Sequence, residues 1–97
     1  MSDAFDAGAL NDVIHGKFRL GVMAYLSAAD SATFNELKAR LDASDGNLSV
    51  QLRKLETAGY VTISKRFVDR KPQTTARLTE AGRTAWIDYL DQLRGLL

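Results

Sequence analysis

The spacing of apolar residues predicts three helices in the first 58 positions of this 97-residue chain. Residues 11–28 carry apolar side chains three and four positions apart, which is the spacing of one helix face. Thr33 and Glu36 are placed as a capping box, in which each side chain bonds the backbone N–H of the other residue, so 33–42 is predicted as a second helix. Residues 45–58 place three leucines on one stripe before a terminating glycine and are predicted as the third.

The spacing changes to alternation after position 59, which is typical of strands. Residues 60–65 and 74–79 are predicted to pair as a hairpin, with a long basic tip at 66–73 that contains the single proline, Pro72. A Thr-Glu pair then begins a last helix over 80–97. The order α-α-α-β-β-α makes the chain mainly α with one β-hairpin.

No repeat, low-complexity tract or proline-rich linker divides the chain, and 97 residues are enough for one domain but too few for two. We therefore expect a single domain over 1–97, with 1–9 as an N-terminal extension. Hydrophobic residues make up 45% and charged residues 26% of the chain, as in soluble globular proteins. No run approaches the roughly 18 apolar residues of a spanning helix, and the N-terminus is acidic where a signal peptide is basic, so we expect a cytoplasmic protein without a membrane partner.

The residue types exclude most catalytic and metal chemistry. The chain has no cysteine and one histidine, His15, which excludes disulfides, thiol catalysis and multi-histidine metal sites within one chain. No phosphate-binding loop, dinucleotide fingerprint, zinc-protease helix or nucleophile elbow occurs. We therefore expect no enzyme activity, no cofactor and no metal, and we interpret His15 as a packed or partly exposed helix residue.

The predicted order of elements is the one that winged helix-turn-helix domains require, with the third helix in the DNA major groove and the hairpin, or wing, on flanking backbone or minor groove. Residues 48–61 resemble the recognition helix and first wing strand of small prokaryotic winged-helix transcriptional regulators, in the neighbourhood of the MarR and ArsR families. Residues 13–20, 34–37 and 74–82 resemble supporting segments of these regulators and occur in the same order.

This resemblance implies a double-stranded DNA partner and assigns residues to it. The positions on the third helix and the wing tip that would face DNA are Asn47, Ser49, Val50, Gln51, Arg53, Lys54, Arg70 and Lys71. Asn47, Gln51 and Lys54 have the donors and acceptors that base edges require. Ser49 and Arg53 suit phosphate oxygens, which fix the register of a protein on DNA without reading sequence.

Two features limit what the resemblance implies. The chain has neither cysteine nor paired histidines, so the metal sensing of ArsR regulators is not expected. It is also shorter than a typical MarR regulator and lacks the longer terminal helices that usually form the ligand cleft and the dimer interface of that family, so no effector is assigned. A leucine stripe with a polar outer face, or a basic hairpin tip, is common in any soluble protein. The order of the motifs is what favours DNA binding.

The terminal helix carries more apolar residues than the short helices before it could cover, which favours a homodimer. The predicted interface is Trp86, Tyr89, Leu90, Leu93, Leu96 and Leu97, with help from the first helix and residues 5–10. Trp86 and Leu90 are also expected to reach the core of the monomer. The alternative is that the leucines only close that core.

These observations favour a dimeric, sequence-specific transcriptional regulator, and a repressor in particular because no segment is left to recruit polymerase. The alternative is a winged-helix module that binds another protein and not DNA. The charge distribution favours DNA. Residues 44–79 hold seven basic and three acidic residues, a net charge of +4, whereas the rest of the chain holds six basic and nine acidic residues, a net charge of −3.

Overall fold

The computed structural model describes residues 10–97, which form four helices and a three-stranded antiparallel sheet. In chain order the elements are α1 Lys17–Ala29, β1 Ser31–Thr33, α2 Phe34–Leu41, α3 Asp45–Thr57, β2 Val61–Val68, β3 Lys71–Leu78 and α4 Glu80–Arg94. The predicted fold class, mainly α with a β-hairpin wing, is confirmed. The predicted N-terminal extension, 1–9, lies outside the described residues, as does most of the 5–10 segment expected to help dimerisation.

Side chains placed just before three helices determine where those helices begin. Thr33 Oγ1 accepts the N–H of Glu36 at 3.1 Å, and Glu36 Oε1 accepts the N–H of Thr33 at 3.2 Å, so the predicted capping box is confirmed. Ser44 caps α3 by accepting the N–H of Asn47 at 3.1 Å. Thr79 caps α4 in the same way. Each cap satisfies backbone donors that the first turn of a helix leaves without a partner.

The first helix is shorter than the predicted span of 11–28. Asn11 Oδ1 accepts the N–H groups of Val13 at 2.9 Å and Ile14 at 3.1 Å, which closes a separate turn before the helix. Gly16 then has an extended backbone, with φ −148°, and serves as the N-cap of α1. The apolar spacing is continuous across both pieces because the turn and the helix pack on the same core.

The wing is longer and its turn tighter than predicted. β2 extends to Val68 and β3 begins at Lys71, so only Asp69 and Arg70 connect them. Both have positive φ, 53° and 68°, which is the backbone of a type I′ turn. The prediction of a long tip over 66–73 is therefore wrong. Type I′ turns match the right-handed twist of paired strands, and this match favours the strands remaining paired up to the turn.

Pro72 lies within β3 and not at a loop tip. It stands opposite Phe67 in the pairing register, one pair inward from the Val68 and Lys71 pair that flanks the turn. Residues that flank a two-residue turn form a hydrogen-bonded pair, so the next pair has no ladder hydrogen bond. β1 meets β3 only from Thr75 onward, so neither neighbouring strand needs the N–H that proline lacks.

The sheet contains a strand that the sequence pattern did not predict. β1 pairs antiparallel with β3, which places β3 between β1 and β2. Asp30, with φ 71°, ends α1 and turns the chain into this strand. Its carboxylate accepts a hydrogen bond from Arg77 Nη1 at 3.3 Å, on the strand to which β1 is joined. Three residues are too few to show alternation, so the pattern of apolar positions does not reveal this strand.

One hydrophobic core joins all seven elements and the turn before α1. Its buried members are Leu10, Ile14, Val22, Met23, Leu26, Ala32, Leu37, Ala43, Leu48, Leu52, Leu55, Val61, Ala76, Leu78 and Tyr89. α4 meets this core at Gly82, where a Cβ would overlap the carbonyl oxygen of Tyr60. That carbonyl also accepts the N–H of Thr79 at 3.0 Å. The backbone just before β2 and the backbone at the start of α4 are therefore in direct contact.

The terminal helix is rotated relative to its predicted orientation. Tyr89, expected in the dimer interface, is 1% exposed and belongs to the monomer core, whereas Leu90, expected to reach the core, is 36% exposed. The Tyr89 hydroxyl lies 2.7 Å from Nδ1 of His15, and burial raises the pKa of Tyr89. Trp86 is half-buried and stacks on Tyr89 with ring centroids 5.9 Å apart. Placing Tyr89 in the interface was therefore wrong.

Candidate DNA-binding surface

The third helix buries its leucine stripe and presents a polar face to solvent, as predicted. Leu48, Leu52 and Leu55 are buried in the core. Ser49, Val50, Arg53 and Lys54 are all exposed on the opposite side. These four predicted DNA-facing residues therefore lie together on one accessible surface, which we call the α3 face.

Asn47 and Gln51 lie at the border of the α3 face and are half-buried. Gln51 Nε2 donates to Asn47 Oδ1 at 3.0 Å, and Gln51 Oε1 accepts from a guanidinium nitrogen of Arg19 in α1. The same guanidinium also donates to the carbonyl of Val13. Both amides are thus held in a network within the protein, and Arg19 is a residue that the sequence reasoning did not identify.

The wing contributes cations on the side that faces α3. Strand alternation places Lys65 on the same face of β2 as the half-buried Ile63. Lys65 lines a concavity of about 340 Å³ together with Ser49 and Arg53. Lys65 was not among the predicted DNA-facing residues, although its position two residues after Ile63 was the signal that could have identified it.

A second concavity, of about 500 Å³, lies between the N-terminal ends of α2 and α3 and the outer part of the wing. Lys71 and Ser49 both line it, so the structure brings this predicted wing residue close to the α3 face. Arg70 lies in the turn itself and lines neither concavity. The two predicted wing residues thus occupy different positions, one beside α3 and one at the outer end.

Six exposed cations on α3 and the wing have no acidic partner among residues 10–97. They are Arg53, Lys54, Lys65, Arg66, Arg70 and Lys71, and within residues 10–97 none of them forms an ion pair. Other cations do form ion pairs, as with Lys38 and Asp45 at 2.8 Å, and Arg77 in the base of the wing and Asp30 at 3.3 Å. A surface of unpaired cations is suited to bind phosphate oxygens, because no internal salt bridge has to be broken.

Other kinds of site are not found in the part of the chain that the structure describes. Between residues 10 and 97 there is no group of three histidine, cysteine, aspartate or glutamate residues that could hold a metal ion. No helix in the same range combines the length and the apolar composition needed to cross a membrane. The hydrogen bond from the backbone of Thr33 is the chief reason that the pKa of Glu36 is lowered.

Comparisons with known proteins agree with this geometry. The chain is 31% identical over 81 residues to an uncharacterized protein of Methanocaldococcus jannaschii, which covers 84% of this chain and 88% of that protein. It resembles the solved structure of a transcriptional regulator homologue from Pyrococcus horikoshii OT3, at 31% identity and a TM-score of 0.81 over 87% of this chain and 83% of that one.

A MarR family transcriptional regulator from Silicibacter pomeroyi has the same fold, at 23% identity and a TM-score of 0.67 over 87% of this chain and 56% of that one. The family model described as a winged helix DNA-binding domain matches residues 18–97. Such a family binds DNA and is not enzymatic, in agreement with the prediction that this chain is not an enzyme. The match covers all the helices and strands described above except Lys17, the first residue of α1, and the chain therefore belongs to the winged helix DNA-binding domain family.

Proposed function

We propose that this protein is a sequence-specific transcriptional regulator that binds double-stranded DNA as a homodimer and acts as a repressor. The observation that carries the proposal is the set of unpaired cations on α3 and the wing. These cations belong to a segment with a net charge of +4 in a chain whose remainder carries −3. DNA phosphates would neutralise this surface and release counterions, which supplies a large share of DNA-binding free energy.

The shape of α3 supports its insertion in the major groove. With side chains an α-helix is about 10–12 Å wide, and the major groove is about 12 Å wide. In this arrangement Lys54 and Asn47 reach base edges, and Val50 contacts a thymine methyl group. We assign Gln51 a different task, because both ends of its amide are already bonded to Arg19 and Asn47. Gln51 holds Asn47 in place for base recognition.

The remaining cations and Ser49 suit the phosphate backbone. Ser49 and Arg53 lie on the side of α3 that faces the wing, where the sugar-phosphate backbone at the edge of the groove would pass. Lys65 and Lys71 would meet the same strand from the wing side, and Arg70 would reach the flanking backbone. These contacts fix the register and orientation of α3 without reading sequence.

The outward face of α4 supports a homodimer. Ile87 is 53% exposed, Leu90 is 36% exposed and Leu97 is exposed, while Leu93 and Leu96 are half-buried against the core. A two-fold contact through this face would bury the exposed apolar residues of both copies. Such a dimer addresses two half-sites about one helical turn of DNA apart, which gives the specificity that one recognition helix lacks. A dimer that occupies promoter DNA blocks polymerase, which is the simplest route to repression.

Salt-dependent binding tests the DNA assignment. Duplexes would be selected from a random pool, and the affinity of the wild type would then be measured by fluorescence anisotropy over a range of salt concentrations. We expect Arg53→Ala with Lys54→Ala to lower affinity at least tenfold at low salt. Each lost phosphate contact should also make the slope of log K against log salt about 0.9 less negative. Arg94→Ala removes an exposed cation from α4 and is the matched control, with unchanged binding expected.

Two outcomes would overturn this assignment. One is wild-type protein that binds no duplex at low salt. The other is a stoichiometric protein partner that co-purifies without DNA and whose binding survives loss of the α3 face, since that would indicate a protein-interaction module.

A further inference from the structure

The face of β2 that carries Val61 changes from core to solvent along the strand. Val61, at its base, is 2% exposed, and Ile63 is half-buried. Phe67 lies on the same face of the same strand, because residues two apart point to one side of a sheet, yet it is 76% exposed. Nothing among residues 10–97 covers this ring. A phenylalanine held in water at the end of a projecting hairpin is unusual, since this side chain is normally buried.

Phe67 is part of a small apolar edge. It stands directly opposite Pro72, in a pair whose side chains lie closer than those of the hydrogen-bonded pairs. Val68, the next residue, is 37% exposed on the opposite face of the same strand. The strands are paired without interruption as far as a two-residue turn, so the backbone holds this edge at a defined position.

Cations surround the apolar edge. Residues 65–71 contain Lys65, Arg66, Arg70 and Lys71 and one acid, Asp69, a net charge of +3 over seven positions. An apolar tip with so many unpaired cations does not complement an ordinary protein surface, which carries both signs of charge. It does complement a nucleic acid groove, where phosphates line both rims and the stacked bases between them are apolar on their faces.

We propose that Phe67 is a wedge that enters the minor groove beside each half-site and partly unstacks one base step. The proposal rests on the proposed DNA-binding function and names a specificity-determining residue within it. Apolar side chains that enter the minor groove in this way kink the duplex toward the major groove. Arg66 and Arg70 would hold the neighbouring phosphates and so keep the ring between the rims.

The wedge would select sequence without a hydrogen bond to any base. Pyrimidine–purine steps such as TA and CA/TG are the easiest to kink and unstack, so DNA carrying one at the position of the wing is deformed at the lowest cost. The operator should therefore show a preference for these steps outside the bases that α3 contacts. That preference should depend on the ring of Phe67 and not on the charge of the wing.

Parallel selection of DNA with four proteins tests the wedge. We expect the wild type to enrich a pyrimidine–purine step at a fixed distance from each half-site by roughly fivefold or more. Phe67→Ala should lose that enrichment, and Phe67→Leu should keep part of it because leucine can also act as a wedge. Phe67→Lys distinguishes the effect of the ring from the effect of charge. This variant should keep or increase the affinity for DNA, because it adds a cation, and should lose the preference for the pyrimidine–purine step, because it lacks the ring. Because Phe67 is exposed, all variants should match the wild type in thermal denaturation.

A second measurement reports unstacking directly. 2-Aminopurine placed at the enriched step should increase in fluorescence when the wild type binds, and the increase should be absent with Phe67→Ala at saturating protein. If Phe67→Ala gives the same step preference and the same fluorescence as the wild type, the wedge is rejected while DNA binding stands. If the wild type binds no duplex, both proposals fail. If Phe67→Ala leaves DNA binding unchanged but releases a co-purifying protein, the ring belongs to a protein interface and the wedge is rejected.

Discussion

Helices α3 and α4 are built alike on their buried sides and differently on their outward sides. A hydroxyl side chain caps each helix, Ser44 in one and Thr79 in the other, and each lays an apolar stripe on the same core. The outward side of α3 is polar and cationic. The outward side of α4 exposes Ile87 and Leu90 beside carboxylates. The buried stripe explains why each helix folds, and only the outward side indicates what it binds.

The two helices also differ in how closely they approach other backbone, and this difference gives the largest expected effect on stability. Gly82→Ala would place a Cβ against the carbonyl oxygen of Tyr60, so the backbone would have to move. We expect a loss of about 2–3 kcal/mol in unfolding free energy and a decrease in Tm of roughly 10–20 °C, measured by urea and thermal denaturation.

Gly46 in α3 is the matched control. A Cβ there meets no atom within 4 Å, so Gly46→Ala should leave stability unchanged or raise it by about 0.5–1 kcal/mol. Equal destabilisation by both substitutions would contradict the close contact between α4 and Tyr60.

The apolar outward side of α4 gives the second prediction. Ile87→Glu should convert a dimer to the 10.7 kDa monomer and raise the dissociation constant of the dimer at least about a hundredfold, because two-fold symmetry places the charge in the interface twice. Light scattering over a concentration series measures this. Unfolding free energy of the monomer should hardly change, since Ile87 is not part of the core.

Ala39→Glu adds the same charge at an exposed position on α2 and should leave the mass unchanged. A wild type that is monomeric at all concentrations would remove the homodimer from the proposal. Unchanged dimerisation of Ile87→Glu would place the interface elsewhere than this part of α4.

The smallest expected effect is on the pH dependence of stability and concerns α2. The Lys38 and Asp45 ion pair joins this helix to α3, and none of the ion pairs among residues 10–97 joins it to α4. Hydrogen bonds from the Thr33 backbone, and then from Tyr25, hold the pKa of Glu36 below its ordinary value of 4.5. A carboxyl whose pKa is lowered by folding stabilises the protein above its unfolded pKa, and this contribution is lost as pH falls through the folded value. Unfolding free energy should thus fall slightly below about pH 4.5.

Denaturation of the wild type and Glu36→Gln at several pH values measures this contribution. The variant should lack this part of the acid dependence, while Glu56→Gln, which removes an exposed acid of α3 outside the capping box, should retain it. Identical pH profiles for Glu36→Gln and the wild type would show that the capping box contributes nothing that depends on pH.

Features decided within a few residues were predictable from the sequence. The Thr33 and Glu36 box, the Ser44 cap and the leucine stripe of α3 all follow from residues three or four apart on one helix. Exposure of Arg53 and Lys54 follows from that stripe. The function class was predictable for the same reason, since it depends on the order of these local elements.

The wing and α4 were predicted less well because longer-range contacts decide them. Asp69 and Arg70 contain no glycine, so the sequence shows no sign of a type I′ turn, and the pairing of two eight-residue strands favours it instead. α4 carries apolar residues on more than one side. Which side is buried depends on Tyr60 and His15, which contact Gly82 and Tyr89 from distant parts of the chain.

The sequence by itself determined the helix starts, the buried stripe of α3 and the segment that carries the positive charge, because caps and helical periodicity act within one or two turns. Only the tertiary structure decided the strand β1, the full length of the wing, the orientation of α4 and the contact that fixes Gln51 through Arg19. Each of these depends on residues that are distant in the sequence and come together only when the core forms. The exposure of Phe67 belongs to the same group, since a hydrophobic residue in a strand is expected to be buried until the position of its hairpin relative to the core is known.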